Sequence, residues 1–316
     1  MKRSLKLSIS VATLLLLCIG LAAACGKKGP DGGDNEQKEE GTKPSKTYSE
    51  FTLSLMTFNI AVDNQSAETG WEARKGAVVK MLNKVKPMLI GLQEAQAHEI
   101  TYLSKHGPKY ARYGIGRDSG KSPSLQDNYA AEETMMIMWL PDSLEALKHG
   151  TFWLSETPET PGIGWDAACN RNVNWIHFRH KVTKQEFFFF NTHLDHKGTT
   201  AREESIKLIN DRMKELNPDG LPVFLSADFN AKQGNKIFAP IKEWMKSTRD
   251  VAPDSDASKN TFNGYSAPKS QIDHIFFYEG KEGKVKPLTF KVLDDNYGAT
   301  WISDHFPVVA TYRYSR

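Results

Sequence analysis

From Phe51 to the C-terminus, short apolar runs alternate with longer amphipathic stretches, a rhythm that predicts a domain mixing strands and helices. Leu53, Leu55 and Thr57 alternate with Ser54, Met56 and Phe58, a strand that stops at Asn59. Trp71 to Lys86 carries Val78, Leu82 and Val85 at helical spacing, and Pro87 closes it. Met88 to Leu92 reads as a buried strand running into Gln93-Glu94. Thr134 to Trp139, Asn174 to Phe178 and Phe187 to Phe190 are further strands, the last running into Asn191-Thr192-His193. Thr200 to Leu216 is the clearest helix. Thr200 and Glu203 have the spacing of a capping box, and Ile206, Ile209, Met213 and Leu216 share one face. Pro222 to Leu225 leads into Asp228-Phe229-Asn230, Ile275 to Tyr278 follows Asp273-His274, and Val308 to Tyr314 follows Ser303-Asp304-His305. No internal repeat and no second linker interrupts this, so one domain is expected over residues 50–316.

The first fifty residues follow a different pattern. Lys2, Arg3 and Lys6 precede an uncharged apolar run from Leu7 to Ala24, the n-region and h-region of a secretory signal. The run is short for a membrane span, which needs roughly 20 apolar residues. It ends in Leu21-Ala22-Ala23-Ala24-Cys25-Gly26, which resembles a bacterial lipobox, with Leu21 one place earlier than that pattern has it. Residues 1–24 are therefore expected to be removed, leaving Cys25 as a lipidated N-terminus that anchors the protein on the extracytoplasmic side of the cell envelope. Residues 25–49 are polar and aperiodic and read as a flexible tether.

Composition narrows the classes. The chain has 316 residues, with 39% hydrophobic and 10% aromatic side chains, which is a globular composition. Three cysteines make no disulfide framework and no C-x-x-C pair. On the lipobox reading Cys18 is discarded and Cys169 stands alone in the mature domain. The net charge is +3; eight of the 41 basic and six of the 38 acidic residues lie in 1–50, so 51–316 hold 33 against 32. A near-neutral domain has no global field for gathering long polyanions.

The polar residues flanking the strands are the candidate chemistry: Asn59, Glu94, His193, Asp228, Asn230, Asp273, Asp304 and His305. Strand ends of one sheet converge on a rim, although each residue alone is an ordinary turn former or solvated side chain. Carboxylates and carboxamides are hard oxygen donors, which suits Mg²⁺ or Mn²⁺ better than zinc. Two histidines beside such an ion point to phosphoester hydrolysis, with one imidazole as base and Asp273 as the candidate partner of His305. The chain has no phosphate-binding P-loop, no dinucleotide fingerprint and no G-x-S-x-G elbow.

Six stretches, in order, resemble the endonuclease/exonuclease/phosphatase superfamily. They are Met56-Thr57-Phe58-Asn59-Ile60, Leu92-Gln93-Glu94, Asn191 to His196, Ala227 to Asn230, Gln271 to Ile275, and Ser303 to Val308. The resemblance implies a deoxyribonuclease I-like α/β (α+β) fold, a four-layer sandwich of two mixed β-sheets flanked by helices. It implies that Asn59, Glu94 and Asp304 hold the metal. Asp228 and Asn230 would position the nucleophile or phosphate, the Asp273–His305 pair would activate water, and His193 would donate to the phosphoryl group. It further implies that Glu133, beside Glu132, supports His193 and that Arg171 contacts phosphate. Gly150 to Pro158 and Gly164 to Cys169 resemble a secreted or lipoprotein bacterial branch.

The expected function is thus a divalent-metal-dependent phosphodiesterase or phosphatase, acting as a monomer on a phosphorylated small molecule, glycan or lipid head group. Trp153, Trp165 and Trp175 are candidates to line a pocket by stacking, against their commoner role as core. An extracellular nuclease and a non-catalytic binding lipoprotein stand as the alternatives.

Overall fold

The computed structural model describes residues 49–315, so the signal segment, most of the tether and Cys25 lie outside the described residues. The strands are β1 (Glu50–Asn59), β2 (Leu89–Gln93), β3 (Ala111–Tyr113), β4 (Ile137–Trp139), β5 (Leu144–Trp153), β6 (Asn172–His180) and β7 (Glu186–His193). They continue with β8 (Val223–Asp228), β9 (Lys246–Ser247), β10 (Asp254–Ser255), β11 (Asp273–Tyr278), β12 (Val285–Val292) and β13 (Val308–Ser315). Three long helices are α1 (Trp71–Val85), α2 (Ala97–His106) and α3 (Thr199–Leu216). Seven strands form one sheet in the order β10-β12-β13-β1-β2-β4-β3, and six form a second in the order β9-β11-β8-β7-β6-β5. Both sheets are mixed, because β1–β2 and β7–β8 are parallel pairs within otherwise largely antiparallel ladders.

Strand parity builds the layers. In the run Phe187-Phe188-Phe189-Phe190, Phe187 and Phe189 face the first sheet and meet Leu53, Leu55 and Tyr312 in the inter-sheet core. Phe188 and Phe190 face the other way and pack with Ile206, Ile209 and Met213 of α3. On β1, Leu53 and Leu55 point between the sheets while Met56 and Phe58 pack against Val78, Met81 and Leu82 of α1. The period of two in a strand therefore fills three cores and produces helix, sheet, sheet and helix as four layers. Burying each of those phenylalanines contributes roughly 2 kcal/mol.

Three local expectations are corrected. The stretch Thr134–Trp139 is not one strand: Glu133–Thr134 pairs with Ala95–Gln96 in a separate ribbon, and β4 begins at Ile137. The capping box at Thr200–Glu203 does not form. Instead α3 starts two residues earlier, with Gly198 at the N-cap position and Asp166 accepting from the Ala201 backbone N–H at 2.6 Å and from that of Thr200 at 3.3 Å. Gly198 allows this approach, since a Cβ there would lie 2.6 Å from Asp166 Oδ1 and 2.7 Å from its carbonyl oxygen. Helix α2 was not anticipated; its box is made by Gln96 and Glu99, a signal short enough to pass for a loop.

A polar knot fastens the two sheets beneath the rim. Asn191 on β7 donates to Leu92 O at 2.8 Å and accepts from Gln93 Nε2 at 2.7 Å and Ser226 Oγ at 3.1 Å. Gly91 makes room for it, as a Cβ there would stand 2.5 Å from Asn191 Oδ1. Two motif residues, Gln93 and Asn191, thus serve architecture, buried and hydrogen-bonded to each other.

Candidate active site

Register decides what meets at the rim. In the parallel pair β7–β8, His193 lies opposite Asp228, and across the antiparallel pair β8–β11 Asp228 lies opposite Asp273. The first sheet brings Asn59 from the end of β1, Glu94 from just past β2, and Asp304 and His305 from just before β13. Glu94 and Asn230 leave their strands with φ of 61° and 48°, left-handed values that favour glycine. Each costs roughly 1–2 kcal/mol and turns its side chain sideways across the strand ends. The result is a cleft of about 330 Å³ lined by residues of both sheets.

Asn59 is the hub between the sheets. Its Nδ2 donates to Glu94 Oε1 at 2.9 Å and to Asp228 Oδ2 at 3.0 Å, while its Oδ1 accepts from Ala61 N. Glu94 Oε2 accepts from Val62 N at 2.9 Å, and Ser303 Oγ donates to the Asn59 carbonyl at 2.7 Å, fixing the turn that carries Asp304. Burial, with Glu94 as a further acidic neighbour, raises the carboxyl of Asp304 above its usual range. Burial likewise pushes Asp228 up to about 7, against the opposing pull of His305. A shelf of buried carboxylates resisting ionisation is a site that a cation stabilises. Its carboxylates are hard oxygen donors, so Glu94, Asp304 and Asp228 fit a hard divalent ion, whereas Asn59, expected among the ligands, turns its Nδ2 toward Glu94 and Asp228 and gives its Oδ1 to Ala61 N.

The two histidines sit in opposite electrostatic states. His305 Nδ1 lies 2.9 Å from Asp273 Oδ2, and its Nε2 lies 3.6 Å from Asp228 Oδ2. Burial pulls its imidazolium down, but Asp273 and Asp228 outweigh burial and push it up to about 10. His193 is held well below its usual value by burial, then by Arg171 and Arg117, and is neutral. Asn230 Nδ2 donates to Leu194 O at 3.0 Å and lies 2.9 Å from His193 Nε2, which also stands 3.4 Å from Asp228 Oδ2. The Nδ1 of His193 is buried, has no hydrogen-bond partner among the described residues and lies 3.8 Å from Glu94 Oε1.

The remaining wall is cationic. Arg171 lines the cleft with its Nη2 3.2 Å from His196 Nδ1 and its Nε 3.7 Å from Asp195 Oδ2. Glu133 also lines it, but its carboxylate does not reach His193; it takes Arg117 Nη1 at 2.5 Å, because a buried guanidinium beside it is the stronger partner. Burial, with Glu94 behind it, pushes Glu133 up to about 7. Glu132 is separate: it accepts from the Asp118 and Ser119 backbone N–H groups and shapes the loop that carries Arg117. Arg117, His196 and Phe262 line the cleft and were missed from the sequence. His196 lay inside a quoted motif, whereas Gly116-Arg117-Asp118 carries no distinguishing pattern. None of the three tryptophans lines the cleft: Trp153 is buried and donates to the Arg117 carbonyl at 2.7 Å, and Trp175 packs against Phe188 and Phe190.

Comparison with known proteins follows from this geometry. Residues 56–305 match the model of the Endonuclease/Exonuclease/phosphatase family. A structure of a protein of that family from Bacteroides thetaiotaomicron is 32% identical, covers 85% of this chain and 97% of its own, and superposes with a TM-score of 0.76. A mannosyl-6-phosphatase from Bacteroides thetaiotaomicron VPI-5482 is 33% identical over 82% of this chain and 99% of its own, with a TM-score of 0.74. A protein of Acanthamoeba polyphaga mimivirus is 24% identical over 255 residues, 77% of this chain and 92% of that one.

Proposed function

Because this chain belongs to the Endonuclease/Exonuclease/phosphatase family, a family of phosphoester hydrolases, we propose that it is a divalent-metal-dependent phosphoesterase of the cell envelope acting on a phosphorylated small molecule, glycan or lipid head group. The observation that carries the reading is the Asp273–His305 pair, 2.9 Å apart, facing Asp228 in the cleft that also holds Glu94, Asp304 and His193.

Glu94, Asp228 and Asp304 would hold a divalent cation, Mg²⁺ on the chemistry of the donors, which would supply Lewis acidity to the phosphoryl oxygens. An ion on Asp228 would remove one of the two carboxylates that hold His305 protonated and so shift it toward the neutral imidazole that a base requires. Asp273 fixes the proton on Nδ1, so Nε2 takes the proton of an attacking water. The water oxygen bonds to phosphorus, and the ester oxygen departs with the pair of the broken P–O bond. His193, neutral and held by Asn230, would donate to a phosphoryl oxygen from the wall of the cleft, and Arg171 would offer a cation to the same group.

The near-neutral charge of residues 51–316 favours small substrates over nucleic acid, whose binding draws on many Lys and Arg contacts. The related mannosyl-6-phosphatase supports a sugar phosphate in particular. The envelope location is supported by the charged and apolar pattern before Cys25. The test is a panel of p-nitrophenyl phosphate, bis-p-nitrophenyl phosphate, a hexose 6-phosphate, sphingomyelin, DNA and RNA, with Mg²⁺ or with EDTA. EDTA-sensitive turnover of a small phosphoester is expected, and its absence across the panel defeats the reading. Cys25→Ser should move the protein out of the membrane fraction; unchanged fractionation defeats the anchor.

A further inference from the structure

We infer that Arg117, set beside Arg171 at one end of the cleft, is a specificity-determining residue that selects phosphate monoesters over diesters. The inference rests on the phosphoesterase reading and narrows its substrate class.

The two arginines come from segments that are fastened together residue by residue. Asn170 Nδ2 donates to Asp118 Oδ1 at 3.1 Å, Asn172 Nδ2 donates to Ile115 O at 3.0 Å, and Asn174 Oδ1 accepts from Ile115 N at 3.3 Å. Arg117 and Arg171 are the neighbours of the first bonded pair, so this lacing holds them side by side. Both line the cleft, and both act electrostatically on His193, Glu133 and Cys169. Their side chains are only 14% and 5% exposed, so this end of the cleft is walled, and Trp153 is hydrogen-bonded to the Arg117 carbonyl.

Their hydrogen-bonding capacity is not used up. Arg117 spends Nη1 on Glu133, and its Nε lies 3.8 Å from Asp118 Oδ2, beyond hydrogen-bond reach. Arg171 has Asp195 near its Nε, but that carboxylate already accepts from the backbone N–H groups of Ala168, Lys197 and Gly198. Arg117 Nε and Arg171 Nε and Nη1 therefore stay buried without a partner among the described residues. Leaving a charged donor buried and unpaired is costly, whereas an anion with a free oxygen satisfies it.

A monoester at neutral pH presents three non-bridging oxygens and close to two negative charges; a diester presents two oxygens and one charge. A cation on the shelf, with His193, would take two oxygens and leave the third to the arginine end. A diester would have to place an uncharged alkoxy group against two guanidiniums in a closed corner. Arg117, which Glu133 holds in place, is the group whose charge matters only when that third oxygen is present.

The test uses the full-length protein and compares kcat/KM for p-nitrophenyl phosphate and bis-p-nitrophenyl phosphate in wild type, Arg117→Gln and Arg117→Lys. The wild type should prefer the monoester, and Arg117→Gln should lower the monoester-to-diester ratio by about 30-fold. Arg117→Lys should recover part of that ratio, having the charge without the fork. Binding of inorganic phosphate in EDTA, followed by calorimetry, reads the same group without turnover and should weaken by about tenfold or more in Arg117→Gln. Equal loss on both esters, or phosphate affinity unchanged by Arg117→Gln, overturns the inference. If neither ester turns over, the phosphoesterase reading is decided by the wider panel, while phosphate binding still decides the role of Arg117.

Discussion

Two regions, the loop behind the carboxylate shelf and the far end of the cleft, hold buried arginines that differ in one respect. In the first, Arg74 on α1 donates to the carbonyls of Thr69, Ile60 and Ala61, and its Nη2 lies 3.3 Å from Glu99 Oε1. It is completely buried, and no nitrogen of it lacks a partner. In the second, Arg117 and Arg171 keep three nitrogens without partners. A saturated guanidinium is architecture: here it ties down the loop between Asn59 and α1, on which the shelf depends. One left unsaturated in the wall of the cleft is available to an anion that enters. The environments teach this where residue type could not, since all three are arginines.

The largest effect should come from the chemistry between the two regions. His305→Ala is expected to lower kcat by about 10³-fold with little change in the affinity for inorganic phosphate, because the imidazole acts in the transition state. A loss confined to KM would remove it from the role of base. Next comes the saturated arginine. Arg74→Met leaves Glu99 buried without its counter-ion and frees three carbonyls, which should cost about 3–5 kcal/mol and lower Tm by roughly 10 °C. Arg171→Gln removes a cation that was only partly paired, so its Tm loss should be much smaller while phosphate binding falls. Similar Tm losses in the two variants would break the contrast.

A buried histidine sharpens the rule by limiting it. His274 lies beneath the site with Nε2 3.0 Å from Ala231 O and Nδ1 unpartnered. Nε2 carries the proton, so the lone nitrogen is a neutral acceptor, and leaving it unpaired costs less than leaving a cationic donor unpaired. Burial lowers this group to about 4. The unfolded chain takes up a proton near 6.5 and the folded one does not, so the stability His274 contributes is full above that pH. It is lost as pH falls from about 6.5 to about 4, by on the order of 3 kcal/mol. Urea unfolding at several pH values should show that slope, flattened in His274→Gln. An unchanged slope would mean that other groups set the acid limit.

Much of the candidate site was legible because its residues follow strands whose period is visible. Asn59, Glu94, His193, Asp228, Asp273 and His305 each flank an apolar run; the cleft brings Glu94, His193, Asp228 and His305 together with Asn230 and Asp304, while Asn59 and Asp273 stand behind it, bonded to Glu94, Asp228 and His305. What was not legible involved partners far apart in the chain. Glu133 was expected beside His193 and instead meets Arg117, which the loop shaped by Glu132 carries to it. The start of α3 was expected from Thr200 and Glu203, but Asp166, more than thirty residues away, supplies the cap. Asn191 and Gln93 lie within the quoted motifs, and their side chains are spent on joining the sheets.

The sequence by itself determined the alternation that sorts Phe187 to Phe190 into two cores, the α/β class, and the stock of hard oxygen donors and imidazoles. Those are local properties, set by side-chain period and by the chemistry of each residue. The tertiary structure alone decided which carboxylate faces which base, and which arginines are satisfied. Those depend on strand register and on loops laced across the two sheets, where a shift of one residue turns every side chain to the opposite face.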